Sequence, residues 1–156
     1  MGNGTPDLLQ GLTSEETAKI LALGSRLVLT SGAELFHMGD AAENLYLVVR
    51  GRVKLTLPMQ VRGRVEDIFV EECAPSQTVG WSALIPPYRF TLTASAPLET
   101  EVLVLPRQKL REYLATRPEV GYAVSLNLAS VIGQRLQVFQ AMWLREMERM
   151  VELRCA

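Results

Sequence analysis

The stretch Leu35–Gly51 constrains the fold of this chain more than any other part of it. Leu35-Phe36 leads to the turn pair Gly39-Asp40. The apolar run Leu45-Tyr46-Leu47-Val48-Val49 follows, and Gly51 ends it. A short apolar run between two glycine turns is too brief for a helix and suits a strand covered on both faces. Glycine fits such turns because it takes positive φ without the clash that a Cβ brings. The same pattern continues on both sides. Leu27-Val28-Leu29 precedes the Ser31-Gly32 turn, and Val53, Leu55 and Leu57 alternate with polar residues. Arg62-Gly63-Arg64 reads as a hairpin tip, Ile68-Phe69-Val70 resumes the sheet, and further strands are expected at Thr91–Ala96 and Glu101–Leu105. Strands this short and this frequent predict a sandwich or barrel-like roll rather than βαβ units.

Helical periodicity brackets this β-rich middle. Thr13-Ser14-Glu15-Glu16 reads as a capping box that opens a helix running to about Leu23, with Gly24 as its stop. After Leu105 a short helix is expected over Arg107–Thr116. It ends at Arg117-Pro118, because the residue before a proline is pushed out of the α region. A long helix follows, from about 119 to 154. Along it Ile132, Leu136, Phe139, Trp143, Met147 and Met150 recur at three- and four-residue steps, which is a seam and not an all-round apolar surface. A helix of roughly 35 residues spans about 50 Å, more than a roll of this size needs. The seam is therefore expected to meet a second copy of the chain as a homodimer, the plainer use being packing on its own roll. The expected fold class is α+β, mainly β: a double-stranded, jelly-roll-like β-roll with a short N-terminal helix and a long C-terminal helix. It forms a single domain over 1–156, with the lead helix, roll and short helix at about 8–117 and the dimerisation helix at about 119–154.

Composition narrows the function classes. A chain of 156 residues that is 48% hydrophobic can bury one core. With 16 basic and 17 acidic residues interspersed it shows no cationic surplus, so nucleic acid is not an expected partner. There is no run of about 18 apolar residues, so no membrane span is expected. The start, Met1–Asp7, lacks the regions of a signal peptide, and Pro6 stands where myristoylation needs Ser or Thr. Cys73 and Cys155 suit neither a disulfide framework nor a four-thiolate metal site. A buried Cys73, a tail Cys155 and a reducing cytoplasm are expected. His37 is the sole histidine, expected as a solvent-facing strand residue, and no Gly-x-Ser-x-Gly, P-loop or Ser/His/Asp set is present. An enzyme and a metal site are not expected.

Leu35–Gly51 is similar along its whole length to the signature of the cyclic nucleotide-binding domain family: Gly39-Asp40, the block Leu45–Val48 and Gly51 meet that pattern. A second stretch, Val79–Thr91, falls where that family keeps its phosphate-binding cassette. The resemblance covers roughly Leu8 to Leu153. It implies that Gly80, Trp81, Ser82, Ala83, Leu84, Arg89, Phe90 and Thr91 form the ligand-binding segment, with cyclic AMP or cyclic GMP as ligand. Val79, Gly80, Ala83, Leu84 and Thr91 match the cassette. The family's glutamate, which holds the ribose hydroxyl, aligns with Trp81. Its arginine, which pairs with the cyclic phosphate, aligns with Phe90, and its closing alanine with Leu92. Arg89 stands one residue early. An arginine–phosphate pair is a strong charge-assisted contact, and burying a phosphate without one is costly. Some phosphate binding could survive through backbone N–H groups near Ser82. Arg89 is either a solvated surface arginine or one that swings into the site. Trp81 and Phe90 either fill the space of a lost ligand or line a more apolar site.

The family mechanism implies a non-catalytic small-ligand sensor that signals through its dimerising C-terminal helix, with residues around Asn127–Leu136 nearest the roll. The alternative is a ligand-free structural or protein-interaction module on the same fold, whose long helix binds itself or a partner protein. In the transcription-factor branch a winged helix-turn-helix would follow. This sequence stops at Ala156, so a domain without that DNA-reading head is expected.

Overall fold

A computed structural model describes residues 4–156. Among these residues eight strands form in chain order: β1 (Ser25–Leu29), β2 (Glu34–Phe36), β3 (Asn44–Arg50), β4 (Val53–Val61), β5 (Arg64–Cys73), β6 (Thr78–Val79), β7 (Thr93–Ser95) and β8 (Thr100–Pro106). They assemble into two four-stranded antiparallel sheets, ordered β1-β8-β3-β6 and β2-β7-β4-β5. This is the expected jelly-roll-like β-roll. The apolar run of β3 sits between β8 and β6, and Leu45, Tyr46, Leu47 and Val48 are all buried there. That burial on both faces explains why the run does not alternate.

Turn chemistry places the strands. β4 and β5 join through Arg62 (φ 51°) and Gly63 (φ 78°), a two-residue turn with both central residues left-handed, as tight hairpins prefer. At Gly51 (φ 86°) a Cβ would lie 2.5 Å from the Thr100 hydroxyl oxygen and 2.7 Å from the Glu99 carbonyl, so no larger residue fits this crossing. The last β-rich segment is shorter than its sequence suggests. β7 covers only Thr93–Ser95, because the chain before it pairs elsewhere, with residues 39–42.

Three helices bracket the sheets: α1 (Ser14–Leu21), α2 (Arg107–Thr116) and α3 (Pro118–Cys155). Both halves of the capping box are present. The Glu16 N–H donates to Thr13 Oγ1 at 3.1 Å, and the Thr13 N–H donates to Glu16 Oε2 at 2.9 Å. With 38 residues, α3 is about 57 Å long. Its first half is anchored. Val120, Val124, Leu128, Val131 and Arg135, spaced four, four, three and four residues apart, make the buried stripe. The Asn127 amide donates to the Leu8 and Gln10 carbonyls, both at 2.9 Å, tying α3 to the 3-10 turn Asp7–Leu9. Leu8, Leu9, Ile20, Leu105, Leu110, Val120 and Val124 form the part of the core that joins helices to roll. Each such side chain contributes about 1.5–3 kcal/mol by leaving water. Among the described residues no helix is long and apolar enough to cross a membrane.

Candidate functional site

The segment that follows β6 builds the candidate site. Gly80 is left-handed (φ 84°) and opens a 3-10 turn over Trp81–Leu84. Beyond Ile85-Pro86-Pro87 the chain runs back along residues 39–42. The Ala42 N–H donates to the Tyr88 carbonyl (2.8 Å), the Phe90 N–H to the Asp40 carbonyl (3.0 Å) and the Gly39 N–H to the Phe90 carbonyl (2.8 Å), with Arg89 opposite Ala41. This is a miniature antiparallel ribbon, so neighbouring side chains leave it on opposite faces.

Phe90 takes the inner face. Its ring stacks on Phe36 with centroids 3.7 Å apart and planes 10° from parallel, and Phe36 stacks in turn on Tyr46 at 5.8 Å. Gly80 makes room for the stack: a Cβ there would sit 3.1 Å from Phe90 Cε1 and 3.3 Å from Tyr46 Cδ2. What is left between Leu55, Trp81, Phe90, Leu92 and Arg135 is a gap of about 20 Å³. That is room for about one water. Trp81 is partly buried against the core at the rim of this gap, so the plug is made by Phe90 on Phe36 and not by the tryptophan. Ser82 and Ala83 are buried, Leu84 is half-buried, and Thr91 is exposed while still edging the gap.

Arg89 takes the outer face. It is exposed, and its guanidinium donates to the Gly39 carbonyl at 3.0 Å. It does not line the inner gap, so in this structure it stands as the solvated surface arginine of the two alternatives. In an extended segment a shift of one position sends a side chain to the opposite face.

The cation that does reach the inner gap is Arg135, on α3. It is only 8% exposed, forms an ion pair with Glu71 on β5 and donates to Cys73 Sγ at 3.7 Å. Burial pushes the Cys73 thiol up, while the Arg135 charge pulls it the other way. The sequence carried a signal for this residue: Arg135 continues the four-and-three spacing of Val120, Val124, Leu128 and Val131. A charge on a buried stripe needs a partner.

The six seam residues of α3 divide. Ile132 and Phe139 are partly buried against the chain's own core, and Met147 is half-buried. Leu136, Trp143 and Met150 are 57%, 63% and 46% exposed. His37 lies just past β2, exposed, with Nδ1 3.4 Å from Glu34 Oε1. Cys73 is buried and Cys155 exposed.

The sequence profile of the cyclic nucleotide-binding domain matches residues 26–117, more than half of the chain. The chain belongs to the cyclic nucleotide-binding domain family. Its curated relatives include the cyclic AMP receptor protein of Thermus thermophilus, 28% identical over 86% of this chain and 58% of that protein. The nitrogen fixation regulation protein FixK of Azorhizobium caulinodans is 27% identical over 78% of this chain and 48% of its own length. Glutaminase 1 of Bradyrhizobium diazoefficiens matches at 26% over 86% of this chain, but over only 21% of that protein. Among solved structures, the N-terminal domain of a transcriptional regulator from Streptomyces coelicolor superposes with a TM-score of 0.70 at 31% identity, covering 85% of this chain and 91% of that one. The chain thus spans about half the length of the first two curated relatives. A cyclic nucleotide-binding domain is a ligand-sensing module, and the β-roll, lead helix and long terminal helix here are those of a Crp/Fnr-like regulatory domain.

Proposed function

We propose that this domain is a non-catalytic regulatory module, acting in the cytoplasm as a homodimer through α3, whose roll holds its own aromatic side chains where the family holds a cyclic nucleotide. The observation that carries the reading is the stack of Phe90 on Phe36 at 3.7 Å, at the position that aligns with the family's phosphate-pairing arginine. The neighbouring gap of about 20 Å³ is far below the few hundred cubic ångströms of an ordinary ligand pocket. With Trp81 in place of the glutamate, neither charged grip of the cassette is present on the inner face. The exposed Leu136, Trp143 and Met150 on the far half of α3 support the dimer.

Arg135 favours a second reading. An anion that drew Arg135 away from Glu71 would free α3 from β5 and so carry a signal into the long helix, provided it binds the two helix positions with different affinity. Thermal unfolding against cyclic AMP, cyclic GMP and cyclic dinucleotides separates the two. A ligand at 100 times its Kd adds about 2.7 kcal/mol, a shift of several degrees. No shift is expected with any of them, and a shift lost in Arg135→Met would establish the second reading instead. Sedimentation equilibrium tests the dimer. Leu136→Glu with Trp143→Glu is expected to give a folded monomer, and an unchanged molar mass would remove α3 as the interface.

A further inference from the structure

The outer face of the cassette carries a second concavity that the roll does not use. It encloses about 220 Å³ and is lined by Glu43, Pro87, Tyr88, Arg89 and Arg107 among others. Two arginines therefore line one cavity. Among the described residues neither has a carboxylate within ion-pair distance. The contrast with the rest of the chain is sharp. Arg117 and Arg135, the other two arginines withdrawn from full exposure, each pair with glutamate. Arg107 is half-buried and is held instead by neutral groups: the Ala42 carbonyl at 2.9 Å, the Ala83 carbonyl at 3.5 Å and the face of Tyr88 at 4.2 Å.

Those contacts fix the direction of Arg107 without neutralising it. Tyr88 is fixed as well. Its backbone is left-handed (φ 57°), which is unfavourable for a tyrosine, and its carbonyl accepts from the Ala42 N–H at 2.8 Å. Its hydroxyl accepts from Arg111 at 3.3 Å, which holds the ring from its far end. A guanidinium group held by carbonyls and an aromatic ring keeps its charge and is preorganised for an oxyanion. Glu43 on the same wall adds an acceptor for a hydroxyl.

We infer that this outer cavity is an anion site that takes a small hydroxylated phosphate ester, its phosphate between Arg89 and Arg107 and a hydroxyl on Glu43. At about 220 Å³ the cavity is smaller than an ordinary ligand pocket, which favours a phosphorylated sugar over a whole nucleotide. The site does not depend on what occupies the roll. Arg89, one residue before Phe90, stands on this outer face.

Titration calorimetry at low salt tests the site with ribose 5-phosphate, inorganic phosphate and uncharged ribose as probes. Ribose 5-phosphate is expected to bind with a Kd below about 1 mM, inorganic phosphate more weakly and ribose not at all. Arg89→Ala, an exposed change that leaves the fold alone, is expected to weaken ribose 5-phosphate at least about tenfold, and Arg107→Lys to weaken it by losing the guanidinium fork. Phe90→Leu, on the inner face, is expected to leave it unchanged. No heat from ribose 5-phosphate at about 10 mM, or an affinity that ignores Arg89→Ala, overturns the inference. So does an affinity lost in Phe90→Leu, which would put the ligand in the roll. Binding of a cyclic nucleotide inside the roll would defeat the previous reading and leave this one standing.

Discussion

Phe90 and Arg89 are neighbours in sequence and lie in different worlds. On the inner side, Phe90, Phe36 and Tyr46 close the roll over a gap of about 20 Å³. On the outer side, Arg107 and Arg111 hold Tyr88, and Arg89 and Arg107 line a cavity of about 220 Å³. The ribbon that residues 88–90 form with residues 39–42 gives a side-chain period of two, so adjacent positions answer to different solvents. A phenylalanine at one position and an arginine at the next therefore serve different faces. The inner face of the ribbon goes to Phe90 and the outer face to Arg89, while the charge that reaches the inner gap comes from Arg135 on α3.

The comparison breaks most visibly at Phe90. Phe90→Ala removes half of a stacked pair in a closed interior and is expected to cost about 3–5 kcal/mol in denaturant unfolding. A loss below about 1 kcal/mol would mean that the inner face is not core. Arg135→Ala comes next. It leaves Glu71, 26% exposed, without its partner, and is expected to cost about 2 kcal/mol, less than for a wholly buried pair. Adding Glu71→Leu to Arg135→Met should recover most of that loss. If the double variant is as unstable as the single one, the ion pair itself supplies stability beyond its burial.

A smaller effect follows from pH. Burial holds the Cys73 thiol neutral above its ordinary value of 9.0, against the pull of Arg135. The unfolded chain ionises this thiol first, so its contribution to stability is complete below pH 9 and is lost as pH rises through the folded value. Melting temperatures from pH 8 to pH 10 are expected to fall, with a shallower slope in Cys73→Ala. An identical slope in that variant would assign the fall to other groups. The smallest effect belongs to the outer face. Arg89→Ala is expected to change stability by less than about 0.5 kcal/mol, since its one described contact is with an exposed backbone carbonyl. A larger loss would mean that Arg89 braces the ribbon and not a ligand.

Much of this was legible in the chain. The glycine turns, the short strands, the capping box at Thr13–Glu16 and the break at Arg117-Pro118 each act through a few neighbouring residues, and each appears where local chemistry puts it. The six-residue seam of α3 was legible only as a period. Periodicity says which residues share a face, and nothing about which stretch of that face meets its own roll. Ile132 and Phe139 turn to the core while Leu136 and Trp143 stay exposed.

The sequence by itself determined the kind of fold, because turns, caps and strand runs are set by interactions over a handful of residues. The tertiary structure decided what the cassette became. It brought Phe36, fifty-four residues before Phe90, against that ring, and it carried Arg135 from the long helix to Glu71 and the gap. It also turned Arg89 outward toward Arg107 and Tyr88. Those encounters join distant parts of the chain, and only packing two sheets and a helix around one core selects them.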